Sequence, residues 1–354
     1  MMILMNELLE NSRTVAVYGA YGHTGRFVVA ELLERGFVPV LVGRDAAKLG
    51  DLAVAHPGLA ARLAAADDPA ALDLALFGAD AVINAAGPFA DTAAPLIEAA
   101  LRAGIPYVDV AAEIEANLDT FAHFADRARE AGTVVLPAMA FFGGFGDLLA
   151  TAAMDDWTEA DEIHVAYGLD SWHPTAGTRA AGKVSHQRRD GRRLRYTGGR
   201  LERHDDEPQT RKWSFPEPTG GHEVIGVYMA DIVTVPSHLA VPEVRTYMSV
   251  KAAADVASPD TPAPVPASED GRSAQRYVVD VVVVSGSEER RATVSGRDIY
   301  AVSAPLAVEA VDRILTGRTR ATGVASAGAL FDARDFLAAL SPVVTVHHYA
   351  ESSR

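Results

Sequence analysis

Hydrophobic and polar positions alternate along the first 140 residues in a pattern that predicts a parallel β-sheet. Short runs of β-branched and apolar residues are separated by longer stretches whose apolar residues recur at helical spacing. The predicted strands are 14–18, 38–42, 61–64, 80–84, 106–110 and 133–136. The predicted helices are 25–36, 45–55, 69–77, 91–103 and 115–131. This order is typical of a doubly wound α/β domain, which we place at residues 1–140.

The pattern changes after Pro137 and predicts a second, α+β domain at residues 141–300 with a largely antiparallel sheet. A glycine-rich turn leads to a predicted helix at 147–156, and Asp190 followed by Gly191 is typical of a hairpin turn. The predicted strands are 162–169, 194–200, 212–215, 231–235, 243–251, 276–285 and 291–294. We expect this domain to bind the substrate and to form a homodimer through its sheet.

Two further segments complete the predicted organisation. Residues 252–274 contain four prolines and no periodicity, which predicts a flexible insert. Helical spacing returns at 305–316 and 332–340. We therefore expect residues 301–354 to form a helical C-terminal return that packs on the first domain.

Composition and charge narrow the classes of function. The formal net charge of −15 at pH 7 argues against nucleic acid as a partner. The absence of cysteine excludes disulfides, thiolate metal sites and a cysteine nucleophile. Residues 1–11 lack the features of a signal peptide, and no stretch approaches the roughly 20 apolar residues of a membrane span. We expect a cytoplasmic protein that acts on a small molecule, without a metal and without a membrane partner.

Three glycines follow the first predicted strand and open the first predicted helix. In this context Gly19 permits a tight turn, Gly22 permits close approach of a pyrophosphate, and Gly25 permits close packing of helix on strand. Amide groups at the helix N-terminus then face the anion. The G-x-x-G-x-x-G spacing suits an extended or atypical Rossmann-type sheet that binds a dinucleotide. The other loop residues expected to contact phosphate are Tyr21, His23 and Thr24.

The tip of the second strand favours NADP(H) over NAD(H). An NAD-binding chain usually places a carboxylate there to bind the ribose 2′-hydroxyl, whereas this chain has Arg44, which could pair with a 2′-phosphate. Arg44 could instead be a solvated residue beside the next helix, and Asp45 could still reach the ribose.

Small residues follow the fourth predicted strand, at the sheet edge where ligands bind in such domains. There the backbone could approach the ribose or the nicotinamide, although an ordinary strand-to-helix turn would have the same composition. The residues expected to contact the cofactor here are Asn84, Ala85, Gly87 and Pro88.

Several of these segments together resemble the saccharopine dehydrogenase-like oxidoreductases. The resemblance rests on Gly-Ala-Tyr-Gly-His-Thr-Gly-Arg at 19–26, Val-Gly-Arg-Asp at 42–45, Val-Ile-Asn-Ala-Ala-Gly-Pro-Phe at 82–89, Ala-Gly-Ile-Pro-Tyr-Val-Asp at 103–109, and Glu113. It implies a Rossmann-type NAD(P)-binding domain and a second domain inserted before a C-terminal return. It also implies hydride transfer at a C=N, C=O or C=C bond, since the family includes enzymes of saccharopine formation or cleavage, other carbon–nitrogen reductases and trans-acting enoyl reductases.

Reduction of a carbonyl or an imine also needs a proton donor. Asp109 and Glu113 follow the fifth strand at the ligand-binding edge, although either could cap the next helix instead. His173 lies in a polar loop after an apolar strand and could equally be a surface residue. The remaining candidates, near His173 in sequence, are Tyr167 and Lys183.

The arginine-rich run at 186–195 has two possible roles. It could be a solvated strand edge protected by charge, or a rim that attracts an acidic substrate or the cofactor phosphates. The function predicted from the sequence is an NADP(H)-dependent oxidoreductase that acts on a small anionic metabolite. The alternative is a redox sensor that binds NADP(H) without turnover.

Overall fold

The first domain is a parallel sheet with helices on both faces. The computed structural model describes residues 13–353, with the backbone alone from 348 onward, so the expectation about residues 1–11 lies outside it. Its strands are β1 (Thr14–Tyr18), β2 (Val38–Gly43), β3 (Ala61–Leu63), β4 (Ala81–Asn84), β5 (Tyr107–Asp109) and β6 (Val134–Leu136). Its helices are α1 (His23–Glu34), α2 (Ala46–Ala55), α3 (Pro69–Leu76), α4 (Phe89–Ala103) and α5 (Ile114–Glu130).

The ends of these helices have local causes. The side chain of Asp45 accepts hydrogen bonds from two amide groups of α2, and that of Asp68 accepts one from α3. Gly104 ends α4 in the left-handed conformation, at φ +68°. The middle of β1 is fully buried because helices cover both faces of the sheet.

The second domain contains a mixed, mostly antiparallel sheet. Its strands are β7 (Glu162–Leu169), β8 (Arg193–Thr197), β9 (Arg200–His204), β10 (Thr210–Ser214), β11 (Gly221–Val227), β12 (Glu243–Ser249), β13 (Arg276–Ser285) and β14 (Glu288–Arg297). Its helices are α6 (Gly144–Met154), α7 (Ala176–Arg188), α8 (Asp231–Thr234) and α9 (Val250–Ala257). Arg291 of β14 donates to the carbonyl of Ser214 in β10, which is five places away in the strand order, so the sheet curls to bring these strands together.

The C-terminal part of the chain joins both sheets. It contains α10 (Ser303–Leu315), β15 (Gly323–Val324), α11 (Ala327–Leu330), α12 (Ala333–Ala339) and β16 (Thr345–Ser353). The first sheet has the order β15-β6-β5-β4-β1-β2-β3 and is parallel throughout. The second has the order β10-β11-β12-β7-β13-β14-β16, with β8 and β9 attached to β12; only the β12–β7 pair of this path is parallel.

The fold class predicted from the sequence is confirmed, but several elements differ. The predicted strand at 231–235 is a buried turn of helix, since a short buried apolar run has no periodicity that distinguishes helix from strand. The predicted strand 194–200 crosses the turn between β8 and β9, and Asp190 and Gly191 link α7 to β8 instead of forming a hairpin.

The two later segments also differ from their predictions. The predicted insert 252–274 begins within the ordered helix α9. In the C-terminal return, α10 packs on α1 of the first domain, where Arg35 pairs with Glu309 at 2.6 Å. Strand β16, in contrast, pairs with β14 in the second sheet, so the return is not helical throughout and does not pack on the first domain alone.

Candidate active site

A cleft of about 1240 Å³ opens between the two domains. On one side it is lined by the loops that follow β1, β2, β4 and β5, at the carboxyl edge of the parallel sheet. On the other side it is lined by α7, α9, β11 and the residues just before α10. Ligands of open α/β sheets bind at this edge, so the cleft is the candidate active site.

The glycine loop after β1 has the geometry of a nucleotide cradle. Gly19 has φ +84°, and a Cβ atom there would lie 2.7 Å from that of Ala86. A Cβ atom on Gly25 would lie 2.1 Å from the carbonyl oxygen of Gly19, so only glycine lets α1 pack this closely. Gly25 itself packs behind the loop. The loop residues that line the cleft are Gly19, Tyr21, Gly22, His23 and Thr24.

The tip of β2 leaves Arg44 free for a ligand. The Asp45 carboxylate accepts hydrogen bonds from the amides of Ala47 and Lys48, and its backbone N–H donates to the Tyr21 hydroxyl at 3.1 Å. Asp45 is therefore engaged in capping α2. Arg44 is exposed, lines the cleft and has no ion pair among the described residues. Lys48, which the sequence interpretation did not select, also lines this part of the cleft, where its Nζ pairs with the Asp45 carboxylate at 3.4 Å.

The loop after β4 approaches the cleft, but Asn84 does not. The Asn84 side chain is fully buried, donates to Thr92 and Tyr107, and accepts from the amide of Ala86. It therefore shapes the loop and is not placed to contact a cofactor. The other predicted residues of this loop line the cleft: Ala85, Gly87 and Pro88.

Glu113 is the acidic candidate that the structure brings to the cleft. It directly precedes α5 but makes no capping hydrogen bond there; its Oε2 accepts from the amide of Phe89 at 2.7 Å. Its Oε1 is buried without a hydrogen-bond partner. Burial raises the Glu113 pKa to about 7, and the nearby carboxylates of Asp109, Glu115 and Asp91 contribute. A carboxyl group of this pKa can hold or release a proton near neutral pH.

Asp109 and Tyr167 lie outside the cleft. Asp109 is buried and accepts from the Tyr107 hydroxyl and from the amides of Ala111 and Ala138. Burial raises its pKa to about 6. Tyr167 is buried and donates to the carboxylate of Asp231 at 2.8 Å. Both side chains therefore make buried hydrogen bonds that stabilise the fold.

His173 and Lys183 are also away from the cleft. His173 lines a separate cavity of about 180 Å³, together with residues of the 264–275 segment. Lys183 is exposed on α7 and does not line the cleft, although its helix does. Of the five predicted catalytic residues, the structure therefore places Glu113 alone in the cleft.

The arginine-rich run is mostly neutralised by acidic residues that follow it in sequence. These ion pairs are Arg192–Asp205, Arg193–Glu207 and Arg195 with both Glu202 and Asp206. This favours the solvated edge over a rim that attracts anions. Two arginines of the run, Arg189 and Arg193, line the cleft. Arg189 is 8% exposed, contacts Glu115 at 3.1 Å and stacks over the Tyr228 ring at 4.7 Å.

Tyr300 connects the cofactor loop to the second domain, and the sequence interpretation did not select it. Its hydroxyl accepts from Trp172 Nε1 at 3.0 Å and lies 3.0 Å from Thr178 Oγ1. Its ring packs against that of His23, which also contacts Phe27. Burial lowers the His23 pKa, which favours its neutral form. Tyr300 could not be identified from the sequence because its partners are distant along the chain and leave no local sequence pattern.

The comparisons with known proteins agree with this geometry. Residues 19–132 match the family of NAD(P)H-binding domains. A probable mitochondrial saccharopine dehydrogenase-like oxidoreductase of Arabidopsis thaliana is 28% identical over 142 residues, which cover 36% of this chain and 31% of that protein. The match thus spans about a third of that relative. The apo saccharopine dehydrogenase (L-Glu forming) of Saccharomyces cerevisiae has the same fold, with a TM-score of 0.68 over 97% of this chain and 100% of that chain, at 12% identity.

Over the matched residues the chain is similar to a saccharopine dehydrogenase-like oxidoreductase, and its overall fold is that of a saccharopine dehydrogenase. The resemblance predicted from the sequence is confirmed, as is the NAD(P)H-binding character of the first domain. Within the described residues, no helix is both long and apolar enough to span a membrane. Over the same range, no group of three or more histidine and acidic residues could bind a metal ion.

Proposed function

We propose that this saccharopine dehydrogenase-like chain is an NADP(H)-dependent oxidoreductase that acts on a C=N, C=O or C=C bond of a small anionic metabolite. The observation that carries the proposal is that a nucleotide cradle and a carboxyl group with a pKa of about 7 line the same cleft. When bound, the nicotinamide would supply or accept the hydride. The chain would supply binding, orientation and the proton.

NADP(H) is preferred in this proposal because of the charges at the β2 tip. Arg44 lines the cleft without an ion pair among the described residues, and a 2′-phosphate beside it would form charge-assisted hydrogen bonds. Asp45, the alternative ligand for a ribose hydroxyl, is engaged with two amide groups of α2. The cofactor contacts proposed for the glycine loop and for Ala85, Gly87 and Pro88 rest on their position in the cleft.

Glu113 is the proposed proton donor for reduction and acceptor for oxidation. Its protonated form is populated near pH 7 because of burial, and Oε1 has no competing partner within the described chain. Glu113→Gln should lower kcat by about 10²- to 10⁴-fold with little change in NADPH affinity. In the wild-type protein, kcat for reduction should fall as the pH rises past about 7, because the active form is protonated.

Arg189 supports an anionic substrate. Its guanidinium lies at the cleft wall, and its Nε has no hydrogen-bond partner among the described residues. Glu115 balances part of its charge, so we expect Arg189 to position an anionic group more than to attract it from a distance.

The experiment combines cofactor binding with turnover. NADPH and NADH affinities are measured by fluorescence for the wild type and Arg44→Asp, and NADPH oxidation is followed against keto acids, cyclic imines and enoyl compounds. Arg44→Asp should weaken NADPH binding about 10- to 100-fold and leave NADH binding nearly unchanged. Equal loss of both cofactors would give Arg44 a structural role. Tight NADPH binding without turnover of any compound would favour a redox sensor.

Assembly as a homodimer and a cytoplasmic location complete the proposal. The homodimer is proposed from the many apolar strands of the second-domain sheet, whose apolar side chains are largely buried within the chain itself. Light scattering at micromolar concentration should give twice the mass of the chain, and a monomer would contradict the assembly.

A further inference from the structure

The side of the cleft that the second domain forms has different residues from the glycine-rich side that would hold the nucleotide. Helix α7 presents one face to the cleft, through Thr178, Ala181 and Ser185, with Arg189 one residue beyond the helix end. These positions recur at helical spacing, so they share one side of the helix. Helix α7 contacts α4 and α5, whose first residues lie beside Glu113. This part of the cleft therefore begins next to the proposed proton donor.

The part of the cleft wall formed by β11 and α9 is largely apolar. Val227 ends β11, Met229 follows it, and Val256 lies on α9; all three are partly exposed and line the cleft. Trp172 lies on the same cleft and is mostly buried. We call Val227, Met229, Val256 and Trp172 the apolar lobe. Covering such a surface with an apolar ligand releases free energy in proportion to the area removed from water.

The nucleotide would not cover this lobe. The proposed cofactor residues come from the loops after β1, β2 and β4, whereas every residue of the apolar lobe belongs to the second domain. The lobe is also not a polar substrate site, because its side chains offer no donor apart from the indole of Trp172, which is engaged with Tyr300. The apolar lobe thus fits a part of the substrate that has no polar groups.

We propose that the substrate is amphipathic: its reducible bond lies beside Glu113, and an aliphatic or aromatic limb fills the apolar lobe. This inference rests on the proposed function for the position of the reducible bond. Specificity would then come from the limb, since each buried methylene adds binding free energy while the polar end stays the same. Small, fully polar metabolites would bind weakly.

The test measures binding separately from turnover. The NADPH-loaded protein is titrated with straight-chain 2-oxo acids from four to ten carbons, by calorimetry and by tryptophan fluorescence. The dissociation constant should fall roughly two- to fourfold per methylene until the lobe is filled. The Trp172→Phe variant should lose the fluorescence response and retain the calorimetric one, because the other two tryptophans do not line the cleft.

Val256→Asp should flatten this dependence on chain length, because it places a charge on the apolar wall. The matched control is Val54→Asp, an exposed valine on α2 outside the cleft, which should retain the wild-type dependence. NADPH affinity of both variants reports whether the fold is kept. A dissociation constant independent of chain length, or an unaltered dependence in Val256→Asp, would overturn the proposal. Chain-length dependence without NADPH oxidation would support the lobe and count against the proposed chemistry.

Discussion

Replacement of Gly25 by alanine tests the cofactor loop without knowledge of the substrate. Gly25 lies in the first turn of α1, and a Cβ atom there would lie 2.1 Å from the Gly19 carbonyl oxygen. Real contacts of this kind stay above 3.0 Å, so helix and loop must separate by about 0.9 Å. The neighbour is backbone, which cannot rotate away as a side chain would.

The size of the effect follows from two opposing terms. Alanine gains up to about 1 kcal/mol over glycine in a helix, whereas overpacking of a close contact costs about 1–3 kcal/mol. We expect a net loss in the free energy of unfolding of about 1–2 kcal/mol. The displaced loop is also the proposed phosphate cradle, so the NADPH dissociation constant should rise about tenfold, which corresponds to about 1.4 kcal/mol.

The assay is urea unfolding together with NADPH fluorescence titration, and Gly50 provides the matched control. Gly50 is also a helical glycine, on α2, and a Cβ atom there would meet nothing within 4 Å. Gly50→Ala should therefore be as stable as the wild type or more stable, with unchanged NADPH affinity. If Gly25→Ala matches Gly50→Ala in both measurements, α1 does not pack on the loop as described.

Three further predictions concern buried charges. The Glu113 pKa is about 7 in the folded protein, against 4.5 for the free side chain, so the free energy of unfolding should fall as pH rises from about 4.5 past 7. Glu113→Gln should remove this pH-dependent part of the stability, which is on the order of 2–3 kcal/mol. Identical pH dependence of urea unfolding in the two proteins would refute the prediction. Asp109→Ala should lower the free energy of unfolding by about 2–5 kcal/mol, because a tyrosine hydroxyl and two amides lose their acceptor. Its NADPH affinity should hold, and loss of affinity without loss of stability would place Asp109 in the site. Glu309→Ala should cost about 3 kcal/mol in urea unfolding because Arg313, 2% exposed, loses a buried partner. Asp312→Ala on the same helix removes a more exposed pair and should cost under about 1 kcal/mol; equal costs would contradict the role of burial.

The fold of the first domain and the position of the cofactor loop could be predicted from local features of the sequence. Gly19 and Gly25 stand where a tight turn and a close helix contact require them, so their spacing contains the geometry. The location of Arg44 at the cleft could be predicted because it follows an apolar strand, and the carboxyl ends of parallel strands lie at the same edge of the sheet. The location of Glu113 at the cleft could be predicted for the same reason.

Tertiary contacts explain most of the residues and elements that could not be predicted from the sequence. Asn84 and Tyr167 were expected at the cleft from their position in the chain, but both are bound to partners distant in sequence. Helix α7 was not predicted because it has two glycines and one buried residue, so it lacks an apolar stripe. Thr175, whose side chain caps α7, was the local signal that could have indicated it. Strand β15 is too short to form a pattern.

The first sheet is completed by a strand that is synthesised late. Strand β6 ends at Leu136, and its outer neighbour β15 begins at Gly323, after the whole second domain. At about 5–20 residues per second, a ribosome needs on the order of 10–40 seconds to make the intervening chain. During that time the hydrogen-bonding edge of β6 has no strand to pair with, which is the condition under which sheets pair wrongly. A gene fragment that stops after the first domain would lack β15 altogether, so the edge of β6 would stay unpaired and open to pairing with another chain.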